Sequence, residues 1–165
     1  MKKINWLTVL FVFVGIFVSS SAFATVPVFQ SATATSTTTI DIVYDIPIDF
    51  ATTSGDFITG FSATGVDKTG ATASIAGNTV TVNLTVPLNT DFTSSGLVIG
   101  AGTIKDFSAA DTNAGVSGQT ISDGIAPAFV SATATSLTNI DIVFSEDISS
   151  INAFGDFTSG DFTAT

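Results

Sequence analysis

Histidine, cysteine and arginine are all missing from this 165-residue chain, and only four lysines stand against fourteen carboxylates. Without histidine, no side chain titrates near neutrality at its ordinary pKa. Without cysteine there is no disulfide, thiolate nucleophile or zinc–thiolate site. Without arginine there is no planar fork to clamp phosphate or carboxylate through two parallel bonds. Most hydrolase, kinase, redox and zinc chemistry is thereby excluded or strongly disfavoured. Charged residues amount to 11% against 45% hydrophobic, so the chain can bury a core, and disorder through excess charge is not expected. The length suits one domain of about 100–150 residues plus an appendage.

The first residues address the chain to a compartment. Met1-Lys2-Lys3 is a short basic start, an apolar run follows from Trp6 to Val18, and small residues lead to Ala22-Phe23-Ala24. That order is a Sec-type signal peptide of residues 1–24, cut after Ala24 to leave Thr25 first. An apolar run of 13 residues is short for a membrane span of about 20. No cysteine follows it, so a lipoprotein anchor is excluded. The expected location is extracellular or at the cell surface, with no membrane span after cleavage. In the mature chain two lysines, Lys68 and Lys105, face fourteen carboxylates, a net charge of −12. Such a surface repels nucleic acid and anionic membranes and attracts divalent cations.

An internal repeat dominates what remains. Pro27-Val28-Phe29-Gln30-Ser31-Ala32-Thr33-Ala34-Thr35-Ser36 returns as Pro127-Ala128-Phe129-Val130-Ser131-Ala132-Thr133-Ala134-Thr135-Ser136, and Ile40-Asp41-Ile42-Val43-Tyr44 as Ile140-Asp141-Ile142-Val143-Phe144. At a constant offset of 100, positions 27–60 and 127–160 share 18 of 34 residues. After one inserted residue, Phe61-Ser62-Ala63-Thr64 aligns with Phe162-Thr163-Ala164-Thr165. The expectation is a signal peptide (1–24), one complete repeat (25–126) and the opening part of a second, truncated one (127–165), cut from a longer tandem array.

Within the repeat the periodicity is that of strands. Thr79 to Val86 alternates without a break, which turns Val80, Val82, Leu84 and Val86 toward a core. Ala76-Gly77-Asn78 before it predicts a hairpin. Ile40, Ile42 and Tyr44 share a strand face, Leu97-Val98-Ile99 is a short buried strand, and Phe57 and Phe61 are expected to fill the core from a neighbouring strand. No convincing 3.6-residue period follows residue 24, so helix should be nearly absent. About seven short strands in about 100 residues predict an all-β sandwich. A β-solenoid would need a far shorter repeat.

These motifs resemble a known family. Ile40-Asp41-Ile42-Val43-Tyr44, Gly55-Asp56-Phe57, Lys105-Asp106-Phe107 and Ser122-Asp123-Gly124-Ile125-Ala126-Pro127 are similar, in that order, to the bacterial Ig-like repeats of S-layer proteins and large surface adhesins. There a strand ending in Phe-Ser-Glu opens the domain and an Asp-Gly-x-Ala-Pro linker joins it to the next. Phe144-Ser145-Glu146 matches the first motif, whereas Tyr44-Asp45-Ile46 departs from it. The family's late Asp-x-x-Gly-Asn element is loosened here to the stretch from Asp106 to Gly115. The resemblance covers residues 26–165 and implies an Ig-like β-sandwich in tandem, a stalk or adhesion role, and no catalytic residues.

Carboxylates supply the remaining candidates. Asp123 lies in the linker, Asp45 and Asp49 follow the first opening strand, and Glu146 and Asp147 follow the second. Such groups can converge on Ca²⁺, which takes six to eight oxygens and needs neither His nor Cys; calcium at the junction between repeats would stiffen the array. The competing reading makes them solvated or turn-forming side chains. The Asp111–Gly115 stretch resembles half of a calcium loop but lacks the closing glutamate, so Asx-turn chemistry explains it better. Asp41 and Asp141 sit mid-strand at equivalent positions and read as structural rather than as a glycosidase pair. An isopeptide bond from Lys68 or Lys105 to Asn78, Asn83 or Asn113 is the remotest reading, because solvated loop lysines are commoner.

Three functions stay open. The first is a structural spacer in an exported surface protein, whose partners are neighbouring repeats. The second is an adhesin module whose loops at one end of the sandwich grip a glycan or protein of a cell wall, a host or the surroundings. The third is the stalk of an enzyme whose catalytic domain lies elsewhere. The mature chain has one tyrosine and no tryptophan, and its phenylalanines fall mostly at inward strand positions, which favours the spacer.

Overall fold

The computed structural model describes residues 25–108 and 110–146. Ten strands and one short helix follow in order: β1 (Phe29–Ser36), β2 (Thr39–Tyr44), β3 (Ile48–Phe50), α1 (Ser54–Gly60), β4 (Thr72–Ala76), β5 (Thr79–Asn83), β6 (Ser94–Ile99), β7 (Ile104–Asp106), β8 (Val116–Asp123), β9 (Phe129–Ala134) and β10 (Ile140–Phe144). The fold is all-β and sandwich-like. A mixed six-stranded sheet runs β4-β5-β2-β1-β8-β6, β3 pairs with β7, and β9 pairs with β10.

The core lies on one face of the large sheet. Ala32, Ala34, Ile40, Ile42, Tyr44, Val80, Val82, Leu97 and Ile121 point inward, as period-two alternation demands. Cross-strand pairs fix the register: Ile42 sits between Ala32 and Val80, and Ile40 between Ala34 and Val82. The sheet curls, because α1 touches both of its edge strands, β4 and β6. The segment after α1 covers the β6 edge through paired bonds between Ser62 and Val98, so this edge offers no free ladder. The β4–β5 hairpin turns on Gly77 and Asn78 with positive φ (62°) at Gly77 alone, the type II′ signature that puts glycine first.

Two expectations from the alternation need correcting. Val86 is 43% exposed, because β5 ends at Asn83 and the chain turns away toward Pro87. Phe57 and Phe61 are fully buried, as expected, but Phe57 arrives on a helix and Phe61 is the extended residue that caps its C-terminal end. Thr53 caps α1: its Oγ1 accepts from the Asp56 N–H (3.1 Å) and donates to Asp56 Oδ2 (2.8 Å). Hydroxyl hydrogen bonds from Thr52 and Thr53 hold the Asp56 carboxyl below its usual range. An i, i+4 spacing then stacks Phe57 on Phe61, ring centroids 6.2 Å apart, while Phe57 meets Phe50 at 5.8 Å. Seven residues are too few to show a helical period, so only the Thr53–Asp56 cap announced this element.

In the described part of the second copy, β9 and β10 reproduce the β1–β2 hairpin. Ile140 pairs with Ala134, Asp141 with Thr133 and Ile142 with Ala132, each the counterpart of a β1–β2 pair, and a register shift recurs near Phe29 and Phe129. Even the turn is copied, with Thr38 N–H on Ser36 Oγ and Thr138 N–H on Ser136 Oγ, both 3.2 Å. Burial differs: Ile40 is fully buried, whereas Ile140 is 67% exposed among the described residues.

Candidate functional site

Strand direction decides where the carboxylates lie. β1 runs parallel to β8, with Ala32, Thr33 and Ala34 opposite Ile121, Ser122 and Asp123. The chain therefore enters at one end of the sheet, here the leading end, and leaves at the other, the trailing end. From Phe29 to Ala34 the strand rises about 17 Å at ~3.3 Å per residue.

Asp45 and Asp49 belong to the leading end and Asp123 and Glu146 to the trailing end, so the structure does not gather the five predicted ligands into one site. Asp45 Oδ1 accepts from the Val28 N–H at 2.8 Å. Asp49 Oδ1 accepts from the Phe50 N–H at 2.8 Å, and its Oδ2 lies 3.7 Å from Lys105 Nζ. Asp147 lies outside the described residues.

At the trailing end the linker folds back on the sheet. Gly124 N–H donates to Ala34 O at 3.0 Å, and a Cβ there would lie 2.6 Å from Thr33 Cγ2. Asp123 Oδ1 accepts from the Ile125 N–H at 2.9 Å, the Asx turn that a linker Asp-Gly favours. The second copy then docks on the first. Thr90, in the loop after β5, donates through Oγ1 to Ser145 O at 2.9 Å. Ser145 itself takes the Ala128 N–H on Oγ (2.9 Å), as Asp45 takes that of Val28 in the first copy.

Glu146 closes this junction. Its Oε1 is shut off from water and has no hydrogen-bond partner among the described residues. Burial, then the charge and hydrogen bonding of Asp123, then the charge of Asp91 push the Glu146 carboxyl above its usual range. Asp91 was not foreseen as a member of this group, because it joins only when the β5–β6 loop meets the second copy. Among the described residues, no three carboxylates come together closely enough to hold a metal ion.

Two side chains singled out for weaker reasons have definite structural tasks. Asn113 is buried and spends its amide fully: Oδ1 accepts from the N–H groups of Thr103 (3.1 Å) and Ile104 (3.0 Å), and Nδ2 donates to Gly100 O (3.1 Å) and Ala114 O (3.0 Å). That set matches the capacity of an amide and leaves no ligand oxygen for an ion. Lys68 Nζ donates to the carbonyls of Ile58, Thr59 and Phe61 at 3.0, 2.9 and 2.6 Å, the open C-terminal end of α1. Asn78 Nδ2 is spent on Tyr44 O, and Asp41 accepts from Thr81 Oγ1 at 2.7 Å across the outer sheet face.

At the leading end, Phe107 is 71% exposed beside a shallow hollow of about 370 Å³ that it lines with Pro47, Ile48, Asp49, Ile75 and Gly77. No helix among the described residues is long and apolar enough to cross a membrane. No protein-family model, curated protein or solved structure matches the chain.

Proposed function

We propose that the chain is a non-catalytic spacer of an exported, cell-surface protein, built from tandem Ig-like units of the bacterial surface-repeat type. One observation carries this reading: the parallel β1–β8 pair sends the chain in at one end and out at the other, which suits units strung end to end rather than stacked side by side. The copied hairpin of β9 and β10, the Gly124 fold-back and the Thr90–Ser145 bond support it, because they repeat the unit and hold the next one in place. Small-angle scattering on proteins carrying one, two and three copies of residues 25–126 tests it. The maximum dimension should grow by an equal step per copy at constant cross-section. Growth in cross-section instead would refute the stalk.

Calcium at the junction belongs to the same reading, and it would have to draw Asp91, Asp123 and Glu146 closer than they stand among the described residues. A rise in melting temperature with millimolar Ca²⁺, lost in Glu146→Gln, is the expected sign. Unchanged melting would leave the junction to protein contacts alone.

A binding role is favoured by one feature, the exposed Phe107 over its hollow, an aromatic of the kind that stacks on sugars or grips peptides. Glycan-array binding lost in Phe107→Ala would establish that role. An array blank for both proteins would remove the sugar version of it.

A further inference from the structure

β7 ends in a carboxylate that the spacer reading leaves unexplained. Asp106 is only 6% exposed, an uncommon place for an ionised side chain without a cation. Its Oδ1 takes both the N–H and the Oγ of Ser108, each at 2.8 Å. Its Oδ2 takes the backbone nitrogen of Thr25 at 3.3 Å, across 81 residues of sequence. Neither lysine serves it: Lys105 reaches Asp49 from the next position of β7, and Lys68 is held on the carbonyls of α1. The other charges on the elements around it are Asp49 of the paired strand, Asp45 ahead of that strand and Asp111, whose carbonyl takes the Asp106 N–H. All three add negative potential.

Thr25 is also the residue that cleavage after Ala24 places first. We propose that this cleavage completes a latch: the new α-ammonium of Thr25 pairs with the buried carboxylate of Asp106 and pins the N-terminus to the leading end of the sheet. The inference rests on the export reading above. The peptidase adds water across the Ala24–Thr25 bond. Its hydroxyl goes to the Ala24 carbonyl carbon, and the amide nitrogen leaves as an amine. The proton of the new acid passes to that amine, giving a carboxylate on the departing peptide and –NH₃⁺ on Thr25. A neutral, rather long N–H···O contact thereby becomes a charge-assisted one, which is shorter and about twice as strong. A chain with two lysines gains its third cation where an unpaired carboxylate is buried. The uncleaved precursor lacks that contribution, so the fold is completed only after export.

Mass spectrometry of the secreted chain first establishes whether Thr25 is the N-terminal residue. A secreted chain with a different terminus overturns the latch and leaves export standing, and a chain that is not secreted overturns the reading on which the latch rests; the pairing itself is tested on residues 25–165 prepared with Thr25 first. NMR titration of the Thr25 α-amine is expected to give a pKa about one unit or more above the usual ~7.7–8.0. A group raised in the folded state stabilises below its unfolded pKa and loses that contribution as pH climbs through the folded value. The Thr25-first chain should therefore melt higher at pH 7 than the same chain retaining Ala24, and the gap should close above about pH 10. Asp106→Asn should return the amine to its ordinary value. Where that variant does not fold, Nα-acetylation of Thr25, which leaves Asp106 intact, should remove the pH-dependent gap. An ordinary amine pKa, or equal melting of the two chains at pH 7, overturns the proposal.

Discussion

Replacing Asn113 by alanine removes the bonds that hold the β6–β7 connection. Oδ1 is the partner of two backbone N–H groups, and that of Ile104 is buried. Nδ2 supports the carbonyls of Gly100 and Ala114, which face partly outward and recover water. A buried donor left unsatisfied costs about 1–3 kcal/mol, whereas a solvated acceptor costs little. The sum is therefore about 2–4 kcal/mol, a substantial part of the total stability of a domain of this size. For a unit of about 100 residues this corresponds to a fall in Tm of about 10 °C or more. Asn113→Asp separates the contributions. It keeps the acceptor oxygens for Thr103 and Ile104 but sets a carboxylate against Gly100 O and Ala114 O. That variant should be destabilised at pH 7 and recover part of the loss near pH 4, where the acid form donates again. Urea unfolding of residues 25–165 followed by far-UV circular dichroism measures both. A loss below about 0.5 kcal/mol for Asn113→Ala would show that water replaces the amide, and the hub would be no hub.

Four further outcomes follow from particular contacts. Lys68→Met strips the C-terminal carbonyls of α1 of three donors and should cost about 1–3 kcal/mol in thermal unfolding. Tyr44→Phe should stabilise by about 1 kcal/mol, because the Tyr44 hydroxyl is buried without a partner among the described residues and the second copy carries Phe144 at that place; a loss of stability would reveal a partner for it. Gly124→Ala should loosen the linker by setting a Cβ against Thr33 and the Ala34 carbonyl, seen as faster amide exchange at Gly124 and Ile125. Glu146 has its carboxyl pKa raised, so docking of the second copy should be strongest below about pH 4.5 and weaken as pH climbs through the folded value. Nuclear relaxation should show residues 128–146 tumbling with the first copy in acid and more freely at neutrality, with Glu146→Gln removing the difference.

Strand positions were legible in the sequence because period two needs only a few residues to declare itself. Ile40, Ile42, Val80 and Val82 occupy the core as the alternation requires. A seven-residue helix offers two apolar positions, Phe57 and Ile58, too few for a period, so Phe57 and the following Phe61 pass for strand residues. The linker turn was legible because Asp-Gly carries its chemistry locally. The division of the carboxylates was not: Asp45 and Asp123 fall at opposite ends because β1 lies parallel to β8, and strand order leaves no local trace in sequence. Asn113, Lys68 and Asp91 were hidden for a related reason. Their partners are backbone groups or loops brought in from other elements, and neither residue type nor spacing encodes those.

A chain this poor in cations must neutralise its carboxylates by other means, and the structure shows how. Backbone N–H groups take the place of lysine and arginine at Asp45, Asp67, Asp106 and Asp123, one assists Lys105 at Asp49, and the Thr53 hydroxyl serves Asp56. Such bonds are short-ranged and local, so salt should screen them far less than surface ion pairs. They do respond to acid. The carboxyls of Asp56, Asp67 and Asp106 are held below their usual range by these N–H and hydroxyl donors. A lowered pKa contributes stability above the unfolded value that is lost as pH falls through the folded one. Glu146 carries the opposite sign. Residues 25–126 should thus weaken in strong acid, while their contact with residues 127–146 should weaken toward neutrality as Glu146 ionises beside Asp123 and Asp91. The stability of residues 25–126 and their contact with residues 127–146 consequently respond to different carboxylates, and either can change without the other.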